Sequence, residues 1–207
     1  MSGRLIAFEG IDGCGKSTQA GLLAERLDAV LTREPGGTAM GEQLRSLLVD
    51  PATVGLDLRA EALLMAAARA QHVAEVIAPA LAAGRVVVVD RFAHSSLAYQ
   101  GYGRGLPVDE VRWLSDWATG GRWPDLVVLV EVPAAVAAAR VGPADRFEAE
   151  DRSFHARVAD GYRGLAAADP ARWRVVDGTG PVDEVTARVW AAVTGALPRT
   201  PVQKSRP

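Results

Sequence analysis

The sequence predicts an α/β fold, a five-stranded parallel sheet flanked by helices. Three observations predict it. Short apolar runs alternate with segments of helical period along the chain. Val86-Val87-Val88-Val89 is a continuous β-branched run of the kind found in strands buried on both faces. A glycine-rich turn directly follows the first apolar run and leads into a helical pattern.

Taken in order, Arg4 to Phe8 reads as a strand running into Glu9-Gly10, and Ser17 to Leu27 as a helix. Val30 to Thr32 is a second strand, followed by the loop Glu34-Pro35-Gly36-Gly37-Thr38. Helices are expected at 40–49 and 58–83, the second interrupted near Pro79, which lacks an N–H for the ladder. Arg85 to Val89 is the third strand and Val108 to Thr119 a helix. Asp125 to Val132 is the fourth strand, Ala134 to Arg140 a helix and Val141 to Ala149 a loop. Glu150 to Ala168 is helical, Arg172 to Val176 is the last strand and Val182 to Ala196 the last helix. No internal repeat or low-complexity linker divides the chain, so residues 1–197 read as a single domain.

Composition narrows the class. The chain has 207 residues, 49% hydrophobic and 23% charged, which excludes wholesale disorder. The single cysteine, Cys14, excludes an intrachain disulfide. No apolar run approaches the roughly 18–20 residues that span a bilayer, and Glu9 interrupts the first apolar stretch too early for a signal peptide. A cytoplasmic protein without a membrane partner is the expectation. Net charge is −2, but Arg199, Lys204 and Arg206 sit in a proline-containing tail, 198–207, expected to be a disordered basic segment. The body before it is acidic, which argues against a nucleic-acid partner.

Gly10-Ile11-Asp12-Gly13-Cys14-Gly15-Lys16-Ser17 fits the phosphate-loop pattern, with Thr18 continuing into the helix. Glycines let backbone N–H groups turn inward around phosphate oxygens, and the following helix points its positive end at them. The lysine neutralises the β- and γ-phosphates and the serine hydroxyl ligates Mg²⁺. Lys16 is the only lysine before the tail. Cys14 reads as a small space-filler within the loop. The Val86–Val89 strand ends in Asp90-Arg91, which places a carboxylate at the C-terminal edge of the sheet beside the phosphate loop. Asp90 can hold Mg²⁺ directly or through water, and Arg91 adds a cation to the same cleft.

These elements predict nucleoside-triphosphate chemistry. With lysine only at 16 and 204, the Asn-Lys-x-Asp segment by which GTPases read their base is absent. A kinase of a small acceptor is favoured. The arginines suit a phosphate acceptor, because two facing anions must be screened by guanidinium groups. Such an acceptor, with a second pKa of about 6, is already ionised at neutral pH and needs no general base.

At this point the chain resembles the bacterial thymidylate kinases. The phosphate loop with Asp12, Thr32-Arg33-Glu34-Pro35-Gly36-Gly37-Thr38, the stretch from Asp90-Arg91 through Ser96, Tyr99, Gln100 and Gly101, Arg104-Gly105 and Asp145-Arg146-Phe147-Glu148 carry the resemblance. It implies a phosphate-loop nucleoside-monophosphate kinase fold, transfer from ATP to dTMP with Mg²⁺, and a homodimer. It implies that Asp12 meets the deoxyribose 3′-hydroxyl, that Arg45 and Arg91 grip the acceptor phosphate and that Arg69 bonds the thymine. Ser96 and Gln100 would read the base edge, and Tyr99 would crowd the sugar 2′ position. Met65 stands where the family commonly stacks a phenylalanine on the base. The loop at about 141–149 corresponds to a lid. With Gly13 and Cys14 in the phosphate loop, the resemblance is to the subclass whose lid supplies the catalytic arginine. Arg140 is the expected one. Arg146 is the alternative, expected to begin the next helix and to pair with Glu150. The remaining alternatives are another nucleoside-monophosphate kinase of the same fold, or a noncatalytic nucleotide-binding protein.

Overall fold

The structure, a computed structural model, describes residues 3–140 and 145–196. The tip of the expected lid, 141–144, and the tail, 198–207, lie outside the described residues. Five strands, β1 (Arg4–Glu9), β2 (Val30–Arg33), β3 (Val86–Asp90), β4 (Leu126–Glu131) and β5 (Trp173–Asp177), form one sheet in the order β2-β3-β1-β4-β5. Every pairing is parallel. Helices α1 (Lys16–Leu27), α2 (Ala39–Val49) and α3 (Leu58–His72) precede β3.

The helix beginning with α3 does not break at Pro79. It widens into a π-helical segment at Val73–Ile77 and resumes as α4 (Ala78–Ala82), with Pro79 in the first turn, where its missing N–H costs least. After β3, the chain forms α5 (Ala93–Ser96), continued by a π-helical segment at Leu97–Gly103, which the sequence pattern does not announce. Then come α6 (Val108–Thr119), α7 (Ala134–Ala138), α8 (Arg152–Ala168) and α9 (Val182–Ala196). No helix among the described residues is long and apolar enough to cross a membrane. Side-chain caps set the starts of some helices: Thr38 accepts from the Gly41 N–H at 2.9 Å and Asp151 from that of Phe154 at 2.8 Å. The Asp151 cap starts α8 at Arg152, so Asp145–Glu148 lies in turns before it and does not begin the helix.

Alternation along β1 divides the core. Ile6 and Phe8 pack with Leu23, Val185 and Val189 on one face of the sheet. Leu5 and Ala7 pack with Ile77, Phe92 and Ala93 on the other. The same alternation sends Glu9 to the Leu5 face, where it is fully buried. The β1–β3 register pairs Phe8 with Asp90, so the turns that follow these strands lie side by side at the C-terminal edge of the sheet.

Candidate active site

The phosphate loop joins β1 to α1. Gly13 adopts φ +78, and a Cβ there would lie 2.2 Å from the Ala137 carbonyl oxygen, so only glycine lets α7 approach. Lys16 opens α1 and is nearly buried. Its ammonium donates to the Ile11 carbonyl at 3.4 Å and to Asp12 at 3.2 Å. Ser17 and Thr18 are exposed at the head of the helix. Cys14 is buried, and burial pushes its thiol pKa up, which suits a filler and not a nucleophile.

Arg91 directly follows β3, at φ +68, an uncommon conformation for a residue with a side chain. Nη1 donates towards the Gly10 carbonyl, the Ser95 hydroxyl and the Tyr162 hydroxyl at 2.9, 3.2 and 3.0 Å. Nη2 donates to Asp12 at 2.5 Å and to the Tyr99 hydroxyl at 3.1 Å. The Tyr99 hydroxyl in turn donates to the other Asp12 oxygen at 2.8 Å. Burial raises the Asp12 pKa, but Arg91 and then Lys16 outweigh it and hold the carboxyl well below the usual range. Asp12 is therefore ionised at neutral pH and joins the lysine of the phosphate loop to the arginine that follows β3.

Behind Arg91 lies Glu9, which sequence reasoning missed. Its carboxylate accepts from the Phe92 N–H at 3.0 Å, the Ser95 hydroxyl at 2.6 Å and the Tyr162 hydroxyl at 3.0 Å. Burial pushes its pKa up. The available signal was an acid at the end of an otherwise apolar strand. Tyr162, on α8, offered none.

One cleft of about 550 Å³, measured to its open mouth, runs from Asp12 past Arg91 and Tyr99 to Arg69, Ser96, Gln100 and Met65, with Arg45 at its side. The eight positions expected to meet the acceptor all line it, together with Glu34, Phe92, Ser95 and Phe147. Arg69 Nη2 donates to the Ser96 hydroxyl at 3.0 Å, and its Nε donates to Glu34 at 2.7 Å. Gln100 gives its amide N–H to the buried Glu61 at 2.9 Å. Arg45 donates to the Pro35 carbonyl at 3.0 Å; burial, then the nearby Arg33, lowers its pKa, the mark of a cation short of counter-charge.

The two arginines expected to serve from the lid differ in their surroundings. Arg146 does not pair with Glu150, whose carboxylate bonds Arg104 instead. Arg146 donates to the Leu48 carbonyl at 2.7 Å, pairs with Glu61 at 2.7 Å and lies over the Phe147 ring. Arg140 is exposed beside the phosphate loop and, among the described residues, bonded only weakly to the Gly178 carbonyl at 3.5 Å. It does not line the cleft.

The residues expected at Mg²⁺ fit a metal. Asp90 Oδ1 is buried without a hydrogen-bond partner among the described residues, and the Ser17 hydroxyl is exposed on the phosphate loop. An unpaired carboxylate oxygen in that position calls for a cation or a bound water.

A phosphate loop at the carboxyl edge of a parallel sheet, opening onto a cleft lined by arginines, defines a nucleoside-monophosphate kinase fold. A family model described as thymidylate kinase matches residues 8–189. A thymidylate kinase of Desulfovibrio desulfuricans is 46% identical over 209 residues, 94% of this chain and 96% of that one. One from a Synechococcus strain is 50% identical over 200 residues, 93% of this chain and 95% of that one. The crystal structure of thymidylate kinase from Ehrlichia chaffeensis superposes with a TM-score of 0.79 at 34% identity, over 94% of this chain and 99% of that one. The chain belongs to the thymidylate kinase family.

Proposed function

We propose that this chain transfers the γ-phosphoryl group of ATP to the 5′-phosphate of dTMP, giving dTDP and ADP. An oxygen of the acceptor phosphate forms the new bond to the γ-phosphorus as the bond to the β-phosphate oxygen breaks. The observation that carries the reading is the single cleft joining Asp12, on the donor's loop, to Arg69 and Ser96. It has one anion-binding end and one end able to read a base.

Catalysis is positioning and charge neutralisation. Backbone N–H groups of Gly10–Thr18 and Lys16 hold the donor phosphates. Arg45 and Arg91 hold the acceptor phosphate, while the Asp12 carboxylate accepts from the sugar 3′-hydroxyl. Tyr99, fixed by its bonds to Asp12 and Arg91, bars a 2′-hydroxyl. Met65 covers the base, and Arg69, Ser96 and Gln100 meet its edge. Mg²⁺ bound with the nucleotide would neutralise phosphate charge, with Ser17 and Asp90 as the residues that hold it. Arg140, exposed beside the phosphate loop, is the lid arginine that screens the transferring group.

A homodimer in the cytoplasm completes the proposal. Leu63 on α3 and Trp113 on α6 are 58% and 68% exposed and flank one apolar groove, a surface suited to a second copy. The activity is tested by supplying ATP, Mg²⁺ and a panel of nucleoside monophosphates and separating the products by chromatography. dTMP is expected to be consumed with the highest kcat/KM. A purine monophosphate preferred over dTMP would move the chain to another acceptor class.

A further inference from the structure

The Glu-Pro-Gly-Gly-Thr loop is among the chain's most distinctive motifs, and the reaction just described gives its acid no part. The structure does. Glu34 is 4% exposed and bonded on both carboxylate oxygens. Oε2 accepts from Arg69 Nε at 2.7 Å and Oε1 faces His72 Nδ1 at 3.0 Å. His72 is fully buried, and its Nε2 meets the Thr32 hydroxyl at 2.6 Å. A chain of bonds thus runs from Thr32 on β2 through His72 and Glu34 to Arg69.

Gly37 of the same loop closes on this chain. At φ +79, a Cβ there would lie 2.8 Å from both the His72 ring and the Thr32 hydroxyl. The motif therefore supplies both the acid that His72 bonds and the space its ring occupies. At the far end, Arg69 Nη2 serves Ser96, while Nη1 is buried with no partner among the described residues. A buried guanidinium held on one edge and unsatisfied on the other is positioned for something that is not protein.

We propose that His72 is a positioning residue: through Glu34 it fixes Arg69, so that Nη1 discriminates the acceptor base by its hydrogen-bonding edge. This rests on the reading that Arg69 faces the base. A fixed donor accepts a base bearing a carbonyl oxygen at that edge and leaves a base bearing an amino group with two opposed donors, which costs far more than a missing contact. Without His72, one Glu34 oxygen loses its buried donor and the carboxylate can rotate, carrying Arg69 with it. Phosphoryl transfer, at the other end of the cleft, would be touched far less.

The test compares His72→Asn with His72→Gln. An Asn amide nitrogen falls near the histidine Nδ1 position and keeps a donor for Glu34, whereas a Gln amide falls near Nε2 and keeps only Thr32. His72→Gln is expected to raise KM for dTMP about tenfold, the scale of a lost bond to a buried charge. kcat at saturation and KM for ATP should move by less than about threefold, about half of that scale in free energy. The ratio of dTMP to dCMP use should fall, and His72→Asn should recover most of both losses. Equal behaviour of the two variants, or loss confined to kcat, overturns the proposal. Should both unfold by circular dichroism, Thr32→Val, a strand-compatible isostere, decides. A raised KM for dTMP supports the chain and an unaltered one contradicts it. The wild-type acceptor panel separates the two readings: dTMP use without sensitivity at His72 refutes the positioning alone, whereas absence of dTMP use refutes the function.

Discussion

Arg91 Nη2 donates to the Asp12 carboxylate at 2.5 Å, and this bond ties the turn after β3 to the phosphate loop. Removing the acid leaves a buried guanidinium short of its principal counter-charge and the Tyr99 hydroxyl without its acceptor. Asp12→Ala is therefore expected to raise KM for dTMP by tenfold or more, a loss of about 1.4 kcal/mol or greater. ATP affinity, measured by calorimetry, should change much less. A collapse of ATP affinity would assign Asp12 to the donor and metal side instead.

Met65 lines the cleft and is half-buried against the cluster containing Tyr99 and Phe147. On the proposed reading it would cover the base with a polarisable thioether and little orientation. Met65→Phe should add aromatic stacking, about 0.5–1.5 kcal/mol beyond area burial, and lower the Kd for dTMP several-fold. A weaker Kd in a folded variant would mean that the base lies elsewhere or that the pocket rejects the larger ring.

Arg140 and Arg146 should separate kinetically. Arg140 is exposed beside the phosphate loop, so Arg140→Ala should leave the fold intact and lower kcat by about a hundredfold with little change in KM. Arg146 is bound to Glu61 and to the end of α2. Arg146→Ala should lower stability by about 1–3 kcal/mol, the penalty for unpaired buried groups, with the milder effect on kcat. The reverse order in kcat would make Arg146 the transition-state residue.

Glu9 gives the fold a pH dependence of definite sign. Burial raises its pKa above the ordinary 4.5, so the folded state binds this proton more tightly than the unfolded one. Its stabilising contribution is full below pH 4.5 and is lost as pH rises through the higher folded value. Glu9→Gln cannot titrate there. In denaturant unfolding, the stability of Glu9→Gln relative to wild type should increase from pH 4.5 towards neutrality. A difference independent of pH would contradict the raised value.

The sheet and most helices were legible because they follow local rules: β-branched runs, helical periods and caps. Leu97–Gly103 was not, because Gly101 and Gly103 argue against helix. Tertiary packing overrides them: a Cβ on Gly103 would sit 2.7 Å from the Phe154 ring, so the glycine is needed for helix contact. The cleft positions Asp12, Arg91, Ser96, Tyr99 and Gln100 were legible because they lie in contiguous motifs, whereas Arg45, Met65 and Arg69, isolated on helices, were reached only through the family resemblance. The supports behind them, Glu9 with Tyr162 and Glu34 with His72, lie 153 and 38 residues apart and meet only in the folded chain.

On the proposed reading, the phosphate loop of this chain drives phosphoryl transfer to dTMP. The most direct measurement is the steady-state rate of dTDP formation by wild type and Lys16→Ala at saturating ATP, Mg²⁺ and dTMP. Wild type should form dTDP and ADP in equal amounts. The variant, folded by circular dichroism, should fall below about a tenth of the wild-type kcat, a barrier increase above roughly 1.4 kcal/mol. Retention of more than that tenth, or ADP release without dTDP, would contradict it.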